Sequence, residues 1–209
     1  NNVLMRSIFQ MGVPVSGKNL FPSNIAGLPT WFTIRANKHG WIGRKKEIDL
    51  LIAMNPETAR EDTLKLEAGA AAVYDEPLRL CDLRDDVHFY SVPFDKLVVP
   101  VCPEAKLRKL VRNMIYDGVV AHLLGLDLDE MHKALVKQFG ARKAKAAELN
   151  WNAILAGNKY AEENFQKRDP LWAERMDKTA GKIIIDGNAA AALGCVFAGC
   201  TVVTWYPIT

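Results

Sequence analysis

The period of the apolar positions changes along the chain, and each change predicts an element. In Asn1 to Phe9, Leu4, Met5 and Ile8 recur at helical spacing with no capping residue ahead of them. The segment therefore reads as a helix already in progress, and the start as clipped. Met11 to Arg35 (MGVPVSGKNLFPSNIAGLPTWFTIR) loses that period and is rich in proline and glycine. It is expected to be an irregular contact loop for a ligand or a subunit, with a proline-stiffened connector as the equal alternative. Thr30 to Ala36, aromatic and β-branched, predicts a strand, and the basic, polar Asn37 to Lys46 an exposed turn or hairpin.

Glu47 to Met54 (EIDLLIAM) is a near-continuous apolar run, as a parallel strand covered on both faces requires. A helix is expected after Asn55-Pro56-Glu57-Thr58, through about Glu67. Ala70 to Tyr74 and Val87 to Phe94 predict further strands, separated by turn-rich Asp75 to Asp86. Strand, helix, strand, turn, strand is an α/β arrangement, and open sheets of this kind bind ligands at the C-terminal ends of their strands. Asn55 and Glu57 are positional candidates there, with helix capping as the plain alternative.

From Glu104 the period is helical. Leu107, Leu110, Val111, Met114, Ile115 and Val119 share one face. Second and third helices are expected over Asp129 to Phe139 and Lys143 to about Lys159. Residues 160–180 are dense in charge, contain Pro170 and read as a linker. The pattern then restarts: a strand over Lys182 to Ile185, an alanine-rich helix over Ala189 to Phe197, and a strand over Thr201 to Trp205. One βαβ unit of this size is too small to bury its own core.

Composition narrows the function classes. A net charge of +3 among 209 residues argues against a nucleic-acid or membrane-surface role. No apolar run reaches the length of a membrane span and no signal peptide opens the sequence, so the cytoplasm is the expected compartment. Cys81, Cys102, Cys195 and Cys200 are scattered, with no C-x-x-C, and the four histidines show no metal-ligand spacing. No metal site is expected. Gly12, Gly17 and Lys18 match a phosphate-loop pattern, but Asn19 stands where Ser or Thr must hold magnesium, and a helix rather than a strand precedes. Gly187, Gly194 and Gly199 miss the dinucleotide spacing.

Two blocks resemble a known family. GKNLFPSNIAGLPTW with IDLLIAMNPET is similar to the gamma domain of 2-oxoacid:ferredoxin oxidoreductases, above all to chains with the gamma part fused ahead of the alpha part, as in 2-oxoglutarate enzymes. IDGNAAAALGCVFAGCTVVTWYPIT resembles the start of the thiamine diphosphate pyrimidine-binding domain. The resemblance implies a Rossmann-like open α/β sheet with a helical C-terminal part over residues 1–159, a linker over 160–180, and the first βαβ unit of the pyrimidine-binding domain over 181–209.

It also implies oxidative decarboxylation of 2-oxoglutarate to succinyl-CoA with reduction of ferredoxin, or the reverse carboxylation. The cofactors would be thiamine diphosphate with magnesium, shared with a beta subunit, and an iron–sulfur cluster in that subunit; coenzyme A would be the cosubstrate. Thr209 matches the threonine beside the 2-oxoacid and the cofactor, with Tyr206 and Pro207 shaping that corner. Lys18, Asn19, Ser23, Asn24 and Arg35 are candidates for coenzyme A or for an interface. The implied assembly is a dimer of heterodimers, and this chain alone would be inactive. A non-catalytic assembly domain, or a pyruvate- or indolepyruvate-specific relative, is the competing reading.

Overall fold

A computed structural model describes residues 2–21 and 27–205. Small and β-branched residues build a three-stranded parallel sheet in the order β3 (Leu50–Ala53), β4 (Ala71–Asp75), β5 (His88–Val92). Leu50 pairs with Ala71, and Ala71 with His88. Central β4 is buried at every position because both of its faces are covered. Its side chains divide with the period of two that a strand imposes. Ala71 and Val73 join Tyr90, Val92, Phe94, Ile115 and Val119 in the main core, whereas Tyr74 packs with Ala53, Ala59 and Leu80 and Ala72 with Leu66 and Val87. The expected open α/β sheet is present.

Helix α1 (Asn2–Gln10) lies where its period predicts and buries Val3, Leu4, Ser7 and Ile8. The chain then departs from the irregular loop expected over 11–35. Val15–Leu20 forms β1, antiparallel to β2 (Trp31–Ala36), with Lys18 opposite Thr33. Gly17 makes this pairing possible: a Cβ there would come within 2.8 Å of the Phe32 ring and 2.7 Å of the Met5 sulfur. Helix α2 (Ala59–Leu64) is shorter than expected.

Phe94–Val101 is helix α3 rather than the end of a strand. Its valines and Pro100 disguise it. Pro100 is tolerated one residue before the end, and the Cys102 N–H closes the last turn on the Val98 carbonyl at 2.8 Å. Helices α4 (Ala105–Leu124), α5 (Leu128–Phe139) and α6 (Ala144–Asn164) follow, α5 capped by Asp127, whose carboxylate accepts from the backbone of Asp129 and Glu130. The α4–α6 crossing is made of glycines. A Cβ on Gly118 would lie 1.9 Å from the Ile154 carbonyl oxygen, and one on Gly157 2.0 Å from that of Ile115. Asn158, without a role in the sequence, donates to the Gly118 carbonyl at this crossing.

Residues 160–180, expected as a linker, continue α6 to Asn164 and then return along the helices and sheet as a strap. Phe165 packs against Tyr90 and Tyr160 at ring separations of 5.1 and 5.6 Å. The Asp169 carboxylate accepts from the Tyr90 hydroxyl and the Lys167 ammonium, each at 2.5 Å, and from the Leu171 N–H at 3.0 Å. Further on, Ala173 N–H donates to Leu124, Met176 N–H to Met11 and Lys178 N–H to Gly12. The approach is so close that a Cβ on Gly12 would sit 1.7 Å from the Met176 carbonyl oxygen, and one on Gly125 2.2 Å from the Trp172 ring. The strap is thus part of the first unit, which spans residues 1–179.

The second unit, residues 180–209, holds α7 (Gly187–Phe197), capped by Asp186 onto the Ala189 N–H. The strands expected over 182–185 and 201–205 are not formed. Neither has a ladder partner among the described residues, and a strand without one leaves its backbone groups to water. Phe197 and Trp205 are 87% and 84% exposed.

Candidate functional site

The β1–β2 register decides which candidate residues share a face. Side chains alternate along each strand, so Ser16, Lys18, Leu20, Trp31, Thr33 and Arg35 lie on one face of the hairpin, and Asn19 with Phe32 and Ile34 on the other. The structure therefore brings Lys18 and Arg35 together as diagonal neighbours and separates Asn19 from them. Ser23 and Asn24, like Tyr206, Pro207 and Thr209, lie outside the described residues.

The two cations play unlike parts. Lys18 is exposed, with no ion-pair partner among the described residues. Arg35 is half-buried and already engaged: its guanidinium donates to the Gly43 carbonyl and lies 5.8 Å from the Trp41 ring centroid. The opposite end of the hairpin is fixed by the Trp31 indole N–H, which donates to the Asp62 carboxylate of α2 at 2.9 Å. The 37–46 turn folds over the Arg35 end. Asn37 organises it, its Oδ1 accepting from the backbone of His39 and Trp41 and its Nδ2 donating to the Trp41 carbonyl at 2.7 Å. His39 stacks on Trp41 at 4.7 Å, and the Ser16 hydroxyl donates to the Ile42 carbonyl.

A second feature lies at the C-terminal ends of β4 and β5. An open cleft of about 650 Å³ is lined by Tyr74, Glu76, Arg79, Cys81, Ser91 and Lys96 among others. Arg79 is the one non-glycine among the described residues with a left-handed backbone (φ +47°). Lys96 pairs with Glu76 at 2.8 Å. Behind the cleft, Asp75 is buried against Arg112 at 3.2 Å, and Arg112 also reaches Asp95 at 2.7 Å. Burial pushes the Asp75 carboxyl above the usual carboxylate range, against the pull of Arg112. Sequence reasoning missed this cleft, because Tyr74, Cys81 and Ser91 come from separate segments. Asn55 and Glu57, the residues singled out at the strand ends, form a turn in which Asn55 Oδ1 accepts from the Glu57 N–H at 3.0 Å. That turn precedes α2, whose N-cap is Thr58 without a side-chain cap, so neither the ligand role nor side-chain capping is seen for Asn55 or Glu57.

Among the described residues no group of three or more His, Cys, Asp or Glu could hold a metal ion. Cys81, Cys195 and Cys200 are exposed and Cys102 is buried, all as free thiols. The described residues therefore offer no ligand set for an iron–sulfur cluster or for magnesium. No described helix is long and apolar enough to cross a membrane.

Against known proteins, the profile of the pyruvate ferredoxin/flavodoxin oxidoreductase family matches residues 1–160. The chain belongs to that family. The alpha subunit of 2-oxoacid:ferredoxin oxidoreductase 2 from Aeropyrum pernix is 21% identical over 99% of this chain and 38% of its own length. The alpha subunit of enzyme 1 from Sulfurisphaera tokodaii is 20% identical over 100% of this chain and 38% of its own length. The chain thus spans 38% of the length of these curated relatives. Among solved structures, 2-oxoglutarate:ferredoxin oxidoreductase from Magnetococcus marinus, with 2-oxoglutarate, coenzyme A and succinyl-CoA bound, superposes with a TM-score of 0.82 at 22% identity, over 94% of this chain and 34% of that one. The gamma subunit of keto/oxoacid ferredoxin oxidoreductase from Geobacter sulfurreducens superposes at 0.58 and 16% identity, over 78% of this chain and 89% of that one. These likenesses establish the shared fold.

Proposed function

We propose that the chain is part of a thiamine diphosphate-dependent 2-oxoacid:ferredoxin oxidoreductase that converts 2-oxoglutarate and coenzyme A to succinyl-CoA and carbon dioxide, with two electrons passing to ferredoxin. The observation that carries this reading is the superposition on the Magnetococcus 2-oxoglutarate enzyme, which extends over 94% of the chain. In the proposed enzyme residues 1–159 are the gamma domain and 181–209 open the pyrimidine-binding domain. The structure adds that the strap to residue 179 travels with the first unit.

Thiamine diphosphate, when bound, would supply the electron sink for decarboxylation. By the family resemblance, a beta subunit would hold its magnesium and the iron–sulfur cluster. Tyr206, Pro207 and Thr209 are proposed to border the 2-oxoacid. The contribution we assign to the hairpin is binding. The Lys18 ammonium, exposed and unpaired among the described residues, is placed to meet an anionic group such as the phosphates of coenzyme A. Arg35 adds positive potential, while its guanidinium braces Trp41 and Gly43.

The test uses the purified complex containing this chain. Reduction of a viologen dye requiring both 2-oxoglutarate and coenzyme A supports the reading. Reduction with pyruvate alone among 2-oxoacids keeps the reaction and changes the substrate, and no reduction with any 2-oxoacid removes it. Lys18→Ala should raise the KM for coenzyme A by about tenfold, the effect of losing one charged contact, with the KM for the 2-oxoacid unchanged.

A further inference from the structure

The 37–46 turn is exposed yet held in place by hydrogen bonds from several parts of the first unit. Asn37 makes three hydrogen bonds to His39 and Trp41, and its own N–H donates to the Pro14 carbonyl at 3.1 Å. Ser16 holds Ile42, Arg35 holds Gly43, and Lys178 reaches across from the strap to the Lys38 carbonyl at 2.5 Å. Gly40 supplies the positive φ that closes the turn.

What this framework displays is apolar. Trp41 is 61% exposed and Ile42 77% exposed, although hydrogen bonds hold the backbone beneath them, the Trp41 ring stacks on His39 at 4.7 Å and the Arg35 guanidinium lies 5.8 Å from its centroid. A tryptophan held rigid in water has already lost the conformational freedom that binding would remove. That is the state of an interface anchor before its partner arrives. Lys38, Arg44, Lys45 and Lys46 flank the pair along the chain, and the first carboxylate after it is Glu47. All four are exposed and none is in an ion pair among the described residues. An apolar centre with a rim of one sign calls for a protein face with an apolar pocket ringed by carboxylates.

We infer that this turn docks the chain onto an acidic face of a companion subunit, with Trp41 and Ile42 as the anchor and Lys38 and Arg44 to Lys46 as the rim. The inference rests on the reading that the chain works within a multi-subunit oxidoreductase. It assigns to that assembly a contact whose energy is concentrated in Trp41 and whose rate and salt dependence come from the cations.

The first readout is association, measured without substrate, and turnover is assayed beside it. The complex, assembled from the full-length protein containing this chain and its companion subunit, is examined by sedimentation velocity from about 0.05 to about 0.5 M salt. Trp41→Ala should weaken association by about thirtyfold, the loss typical of a central anchor. Trp41→Phe, which keeps a ring against His39, should weaken it less. The R44E/K45E/K46E variant should weaken association strongly at low salt and progressively less at high salt. All three replace exposed side chains, so their melting temperatures should match the parent. Unchanged association in the alanine and charge-reversal variants overturns the inference. So does intact association with a raised KM for coenzyme A, which would make the turn a substrate contact. A complex that assembles through Trp41 but ignores 2-oxoglutarate contradicts the proposed reaction and leaves the docking surface standing.

Discussion

Tyr90→Phe tests whether the strap is an integral part of the first unit. The change leaves the ring, and so its contacts with Phe165, in place and removes one oxygen. That oxygen donates to Asp169 at 2.5 Å and accepts from the N–H groups of Arg168 and Asp169 at 3.0 and 3.4 Å. Asp169 is 6% exposed, so water cannot replace the lost donor to its carboxylate. A hydrogen bond to a buried charged group contributes about 1.5–3 kcal/mol, and the part-buried Arg168 N–H recovers part of its loss from water. The expected destabilisation is about 2–3 kcal/mol. For a unit of this size that lowers Tm by about 4–12 °C. The strap should also open locally, so trypsin should cut at Lys167 and Arg168 faster in the variant before global unfolding begins. Urea denaturation gives the first number and timed proteolysis the second. A loss below about 0.5 kcal/mol, with unchanged cleavage, would refute the argument and return residues 165–179 to a loosely attached linker.

Other outcomes follow from the same packing and electrostatics. Gly118→Ala would push a methyl group into the Ile154 carbonyl, where a Cβ has 1.9 Å of room. Helix propensity favours alanine by about 1 kcal/mol, yet separating α4 from α6 should leave the variant at least about 2 kcal/mol less stable in urea denaturation. Burial pushes the Asp117 carboxyl up to about 6. The native state therefore holds a proton that the unfolded chain, titrating near 4, releases first. The stability from this group is full below about pH 4 and is lost as pH rises through about 6, amounting to about 3 kcal/mol by neutrality. Asp117→Asn should remove that part of the pH dependence in thermal melts at pH 4 and pH 7. The low pKa of Asp169 runs in the opposite direction. Although burial pushes it up, Lys167, Tyr90 and the Leu171 N–H hold it below the usual carboxylate range. Its contribution is present at neutral pH and is lost as pH falls through the native pKa, so Asp169→Asn should be less stable than the parent at pH 7 and converge with it in acid.

Much of the first unit is legible in the sequence because burial there follows one period at a time. The near-continuous apolar run over Glu47 to Met54 placed β3, the strand-type segments Ala70 to Tyr74 and Val87 to Phe94 placed β4 and β5, and the stripe through Val111, Ile115 and Val119 placed α4. Elements whose stability comes from distant contacts were not legible. Val15–Leu20 pairs as a strand although its centre is Ser-Gly-Lys-Asn, because Gly17 admits the Phe32 ring. Helix α3 is written in valines and a proline, and burial of Phe94 and Val98 overrides their propensity. The strap looks like a linker because its hold on the sheet is one buried carboxylate and a few backbone hydrogen bonds across the fold. The two strands expected beyond residue 180 have the right composition but no ladder partner among the described residues.

The site was legible to the same degree. Lys18 and Arg35 could be named from the sequence, but only the hairpin register places them on one face and Asn19 on the other. That Arg35 is engaged by Gly43 and Trp41 follows from the turn that Asn37 organises. The cleft beside Tyr74 depends on three separate segments and had no local signature.

The central claim is the reaction. The most direct measurement is mass-spectrometric detection of succinyl-CoA formed by the purified complex from 2-oxoglutarate, coenzyme A and oxidised ferredoxin, with pyruvate supplied in competition. Succinyl-CoA should form in excess over acetyl-CoA and in step with ferredoxin reduction. Acetyl-CoA as the main product would contradict the 2-oxoglutarate assignment, and no acyl-CoA from either acid would contradict the proposed reaction itself.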